Sequence, residues 1–177
     1  FRNMKIDTEI TSQIPVNYTF ITGKSNINCD YFIDKIEEGI GGKDNKNFQT
    51  NVHGYMTSWK YFSRDQEFLN FLYPVMNKID SLPSKPPSYF LNEAWGIKEM
   101  LGHRSSIHDH QPAYLSGVLY LNNHPQLLKF PQIDKTVKPQ PGKFVIFSSF
   151  LKHGADRNLI WDSKYAVSFN LHYQLSY

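Results

Sequence analysis

The densest chemical cluster in the sequence is His108-Asp109-His110. Residues two apart at a strand end point to the same side, so both imidazoles can face one site. A third histidine, His153, follows the apolar run Phe144–Phe147 within Phe150-Leu151-Lys152-His153-Gly154. If these two segments are neighbouring strands, they supply three corners of a metal site. Three protein ligands on one face leave coordination positions open, as in non-heme Fe(II) oxygenases. Taken alone, a His-x-His on a polar loop is often only solvated. Lys164 follows His153 by eleven positions and begins the last apolar-polar repeat. A cation there suits an anionic ligand as a point charge. A lysine at a strand start is otherwise an ordinary solvated residue. His53, His103, His124 and His172 have no comparable partners and read as surface or structural.

The elements that must hold these residues change character along the chain. In the first half, Pro15–Thr22 reads as a strand. Asp30–Ile40 carries Phe32, Ile33, Ile36 and Ile40 at helical spacing, with Gly41-Gly42 as a stop. Ser63-Arg64-Asp65-Gln66 is a capping-box pattern. It predicts a second helix with Phe68, Leu69, Leu72, Met76 and Ile79 as its buried stripe, and Pro74 predicts a kink or break in it. Leu82–Ser88 holds three prolines and reads as a connector. After Ser88 the pattern is strands: Tyr89–Leu101, Arg104–Asp109, Leu115–Asn122, Gln126–Phe130, Lys143–Ser148 and Tyr165–Leu175. The last alternates cleanly, with Tyr165, Val167, Phe169 and Leu171 on one face and Ala166, Ser168, Asn170 and His172 on the other. Two different environments are expected for its two faces. The expected fold is mainly β, a jelly roll with N-terminal helices packed outside. No strand–helix–strand alternation or Gly-rich phosphate loop points to a nucleotide-binding α/β fold.

Composition narrows the setting. The 177 residues suggest one domain, with 1–88 as support and 89–177 as catalytic core. No apolar run is long enough for a transmembrane helix, so no membrane partner is expected. Cys29 is the single cysteine, which excludes an intrachain disulfide or a Cys-based zinc site and favours a reducing compartment. The net charge of +3 is not gathered into a patch, so no nucleic acid is indicated. No signal-peptide pattern is seen, and a cytoplasmic location is expected.

The motifs, in order, resemble the 2-oxoglutarate/Fe(II)-dependent dioxygenase superfamily. Trp95 stands seven before Gly102, which stands six before His108; then come His108-Asp109-His110-Gln111-Pro112 and Leu115-Ser116-Gly117-Val118-Leu119-Tyr120-Leu121-Asn122. Pro141-Gly142 and the strand to Ser149 lead to His153, followed by Lys164 and Ser168-Phe169-Asn170. This order is similar to the phage-type members and, more distantly, to prolyl hydroxylases. A phage source would place the protein in the host cytoplasm.

The resemblance implies a double-stranded β-helix and a set of roles. His108 and His153 would be iron ligands, and Lys164 would bind the distal carboxylate of 2-oxoglutarate. Tyr120 resembles the tyrosine that hydrogen-bonds that carboxylate in prolyl hydroxylases; it reads equally as a core aromatic. Two positions depart from the common pattern. Where most members have His-x-Asp or His-x-Glu, this chain has His110, so the third ligand is His110, favoured by spacing, or Asp109. Ala166 replaces a serine of the usual terminal strand. The implied reaction is hydroxylation of a C–H bond using Fe(II), 2-oxoglutarate and O₂, with release of succinate and CO₂ and ascorbate as an optional reductant. A prolyl or other protein or peptide residue is the expected substrate. Two other classes stay open: a cupin-like three-His iron dioxygenase without 2-oxoglutarate, and a non-catalytic jelly-roll binding module.

Overall fold

The computed structural model describes residues 16–41, 50–83 and 87–174. Strand β1 (Phe20–Lys24) and helix α1 (Cys29–Gly41) come first. Two short strands, β2 (Val52–His53) and β3 (Tyr55–Met56), precede helix α2 (Gln66–Asp80). Then follow β4 (Tyr89–Glu99), β5 (Arg104–His108), β6 (Leu115–Tyr120) and β7 (Leu128–Phe130). The last four strands are β8 (Lys135–Val137), β9 (Lys143–Ser148), β10 (His153–Ala155) and β11 (Lys164–Tyr173). A major sheet has the order β1-β9-β6-β11-β4-β3 and a minor sheet the order β2-β5-β10-β7-β8. All pairings are antiparallel. The two sheets close on each other as a double-stranded β-helix, the expected jelly roll.

Strand alternation gives the major sheet two apolar faces. Facing inward, Val118 and Tyr120 of β6, Val145 and Phe147 of β9 and Ala166 of β11 meet Leu128 and Phe130 of β7. Facing outward, Val167, Phe169 and Leu171 of β11 meet Phe32 and Ile36 of α1 and Phe68, Phe71 and Leu72 of α2. The two environments expected for the last strand are present: its polar face lines the barrel and its apolar face lies under the helices. Phe169 joins the layers, with ring centroids 5.5 Å from Phe68 and 6.2 Å from Phe71.

Several local expectations are corrected. The first strand begins at Phe20, and Pro15 lies outside the described residues. The cap of α2 is Asp65, whose side chain accepts the Phe68 N–H, not Ser63. Helix α2 runs through Pro74 without a break. Pro74 is exposed, so the carbonyl that loses its partner can turn to water while the opposite face stays packed. Phe71 belongs to the buried stripe and Leu69 is only half-buried. Strand β11 ends at Tyr173; Leu175, Gly42 and residues 84–86 of the connector lie outside the described residues. The two- and three-residue strands β2, β3, β8 and β10 were not expected, because a period cannot show over so few residues.

Candidate metal and co-substrate site

The minor sheet brings the three histidines together. His153 opens β10 and stands in register opposite His108, the last residue of β5. Two residues on, Ala155 pairs with Ser105, three residues from His108. This bulge lets Ser105 and His108 both line the interior despite their odd spacing. His110 lies just beyond β5, held by its N–H to the Ser149 carbonyl at 2.9 Å. Ligand atoms of His108, His110 and His153 fall within 4.8 Å of one another.

The tautomers suit metal binding. His108 Nδ1 lies 2.7 Å from the Ser106 carbonyl and His153 Nδ1 lies 3.0 Å from that of Leu151. A carbonyl only accepts, so both Nδ1 atoms carry the proton and both Nε2 lone pairs are bare. The 3.2 Å contact between His110 Nε2 and His153 Nε2 is then donated by His110. Burial, reinforced by His153 and His108, depresses the His110 pKa to about 2. Burial, then His108, depresses that of His153 to about 4. The three rings pack with centroids 4.5–5.0 Å apart, and His110 and His153, kept neutral by burial, offer lone pairs to a cation. The donor set fits a divalent metal such as Fe(II). The indole Nε1 of Trp95 adds an unpartnered donor: it is buried without a hydrogen-bond partner, and its ring lies 6.1 Å from that of His110.

The same cavity runs from the imidazoles to Lys164, Tyr120 and Glu99. Lys164 is 5% exposed in its side chain and forms an ion pair with Glu99, which is 2% exposed. They are register partners on β11 and β4. Ser105 Oγ donates to the other Glu99 oxygen at 3.2 Å. Tyr120 is fully buried; burial, then the charge of Glu99, pushes its phenol well above the ordinary range. On the other side of the imidazoles a wider groove is lined by Trp59, Lys60, Glu93, Asp109, Asn170 and His172.

The structure therefore places His108, His110, His153, Lys164 and Tyr120 on one cavity. Asp109 lines the outer groove and accepts the Gln111 N–H at 3.2 Å; the converging ligand set does not include it. His124 is structural, as expected: it is buried, contacts the Asp162 carbonyl and accepts the Gln126 N–H. His103 accepts the Met100 N–H. His172 lies at the groove, 3.9 Å from Glu93. Sequence reasoning missed Glu99, Ser105 and the free indole of Trp95. Glu93, Trp95, Ile97 and Glu99 alternate along β4, so the period-two pattern could have revealed the inward face.

No family model matches the chain, and no curated protein matches it in sequence. Solved structures do share its fold. A viral collagen prolyl hydroxylase from Paramecium Bursaria Chlorella virus-1, in its 2-oxoglutarate complex, superposes with TM-score 0.68 at 15% identity, over 89% of this chain and 96% of that one. A Pseudomonas putida prolyl-4-hydroxylase gives TM-score 0.66 at 13% identity, over 88% and 93%. HygX from Streptomyces hygroscopicus, with nickel and 2-oxoglutarate bound, gives 0.64 at 9% identity, over 88% and 83%. The fold is that of the 2-oxoglutarate/Fe(II) oxygenases. Among the described residues, no helix is long and apolar enough to cross a membrane.

Proposed function

We propose that this chain is an Fe(II)- and 2-oxoglutarate-dependent dioxygenase that hydroxylates a C–H bond. One observation carries the reading: a single cavity is lined by three converging imidazoles and by a buried lysine. His108 and His153 would hold the metal through Nε2, and His110 would complete the set through its imidazole. Lys164, with Tyr120 beside it, would hold the distal carboxylate of the co-substrate. Bound Fe(II) and 2-oxoglutarate supply the activation of O₂, with release of succinate and CO₂. The chain fixes the tautomers through the Ser106 and Leu151 carbonyls, excludes water with Trp95, Phe147 and Leu128, and presents substrate through the groove. A protein or peptide residue, prolyl in the first instance, is the proposed substrate. The likeness to two prolyl hydroxylase folds and the open groove support that choice.

The test is spectroscopic. Under anaerobic conditions, Fe(II)-loaded protein should develop a visible charge-transfer band on adding 2-oxoglutarate. His108→Ala and His153→Ala should abolish it. The all-imidazole ligand set favours one second reading, a cupin-like three-His dioxygenase without 2-oxoglutarate. Iron binding with no response to 2-oxoglutarate would select that reading, and no metal binding would exclude both enzymes.

A further inference from the structure

The lysine assigned to the co-substrate already has a carboxylate partner. Glu99 forms an ion pair with Lys164 inside the barrel, and both side chains are almost fully shielded from water. The cavity they share with the imidazoles is narrow, about 50 Å³, and Glu99 is one of the side chains lining it. A dicarboxylate entering here must take the seat on Lys164 that Glu99 now holds. Two carboxylates would then share one ammonium in a medium of low dielectric.

Among the described residues lining this cavity, Lys164 is the only lysine or arginine. Lys164 faces Glu99 from β11, and Tyr120 of β6 lies near enough for the charge of Glu99 to raise its pKa. From β5 the neighbour is Ser105, which donates to Glu99 Oε1. On the loop sides lie His103, whose Nδ1 accepts the Met100 N–H, and His124, which burial, chiefly, keeps below the ordinary imidazole range. Asn158 reaches only the Glu99 main-chain carbonyl, through its side-chain amide at 3.4 Å. When two carboxylates share a site, one takes a proton.

We infer that Glu99 makes co-substrate binding proton-coupled: one proton from solvent adds to the Glu99 carboxylate as 2-oxoglutarate displaces it from Lys164. The inference rests on the 2-oxoglutarate reading of the site. Protonated Glu99 changes from acceptor to donor. Its O–H is then available to the incoming carboxylate, while its second oxygen retains the Ser105 hydroxyl. The proton balance is simple: the dianion enters, one proton enters with it, and no covalent bond of the co-substrate changes. Glu99 is thus a specificity-determining residue. It sets how strongly a distal carboxylate is held and at what pH.

The experiment is calorimetric titration of 2-oxoglutarate into anaerobic Mn(II)-loaded protein, repeated at one pH in buffers of different ionisation enthalpy. Wild type should take up about one proton per 2-oxoglutarate bound, and its affinity should fall about tenfold per pH unit as pH rises through the coupled range. Glu99→Gln, which keeps the shape and the Ser105 hydrogen bond, should take up none. It should also bind 2-oxoglutarate at least tenfold more tightly at pH 8. Binding to wild type without proton uptake overturns the inference and leaves the 2-oxoglutarate reading standing. Unchanged or weaker binding by a folded Glu99→Gln does the same. If Glu99→Gln does not fold, the wild-type buffer series decides alone. No binding of 2-oxoglutarate by metal-loaded wild type overturns the reading itself, and the inference with it.

Discussion

His108 of β5 and His153 of β10 are register partners in the minor sheet, their ring centroids 4.5 Å apart. The pairing ties the chemistry to main-chain hydrogen bonding. The strands position the two rings before any metal arrives, and the Ser106 and Leu151 carbonyls fix which nitrogen of each faces the cavity. A site built on paired strands is held more tightly than one built on loops.

Single replacements should therefore remove metal binding without unfolding the barrel. His108→Ala and His153→Ala should each weaken Fe(II) by at least a hundredfold, with far-ultraviolet circular dichroism unchanged. Asp109→Ala should bind Fe(II) within about twofold of wild type, because Asp109 turns toward the Gln111 N–H and the groove. His110→Ala should resemble the other two His variants. Anaerobic equilibrium dialysis against Fe(II) checks all four. A large loss in Asp109→Ala with none in His110→Ala would reverse the ligand assignment.

The same imidazoles should make the metal-free protein acid-sensitive. In an unfolded chain a histidine titrates near pH 6.5. In the folded protein burial depresses His153 to about 4 and His110 to about 2. Below pH 6.5 the unfolded chain therefore binds protons that the native state refuses, and stability falls as pH falls. The His153 share of the loss is complete near pH 4, and the His110 share continues lower. Each group contributes up to about 1.4 kcal/mol per pH unit. Urea midpoints at pH 7, 6 and 5, above the main carboxylate range, isolate this part. The slope should be shallower in His110→Asn. An unchanged midpoint over that window would contradict the burial of these rings as neutral groups.

The long elements and the three converging histidines were legible in the sequence because both carry a local signal. The ten residues of β11 show their two faces by alternation, and His108, His110 and His153 show by type and motif order. Short strands such as β10 carry no such signal, although His153 depends on one. Glu99 was hidden for a different reason. It lies 65 positions from Lys164, and only the antiparallel register of β4 against β11 reveals that a buried lysine has a buried partner. Ser63 and Asp65 stand two apart and both can cap a helix; Asp65 caps α2, and its second oxygen accepts the Tyr31 hydroxyl of α1 at 2.6 Å, a contact no local pattern shows.

The contact between α1 and the back of the major sheet should be intolerant of a single methyl. Gly96 of β4 lies under Ile36, and a Cβ there would fall 2.4 Å from Ile36 Cγ1. Ile36 is fully buried and closely packed, so it has little room to yield. Gly96→Ala should cost about 1–3 kcal/mol in urea unfolding. The double variant Gly96→Ala/Ile36→Ala should cost less than the sum of the two single variants, since it removes the Cγ1 that the methyl strikes. Additive losses would show that the strain lies elsewhere.

The Lys164–Glu99 pair should show the asymmetry of buried charge. In Lys164→Met the stem keeps much of its volume, but Glu99 is left with its charge and without its cation. Removing one partner of a buried pair typically costs about 3–5 kcal/mol, because the remaining charge is uncompensated. Replacing both, in Lys164→Met/Glu99→Leu, removes the charge altogether, and apolar packing replaces a pair that was costly to desolvate. The double variant should therefore unfold within about 1 kcal/mol of wild type, or above it. Urea unfolding of the four members of the cycle measures the coupling directly. Additive losses would mean that the pair is not energetically linked. Strong coupling, with 2-oxoglutarate binding lost in both Lys164 variants, would separate the two uses of one ammonium: it offsets Glu99 in the resting barrel, and it is the anchor that a distal carboxylate competes for.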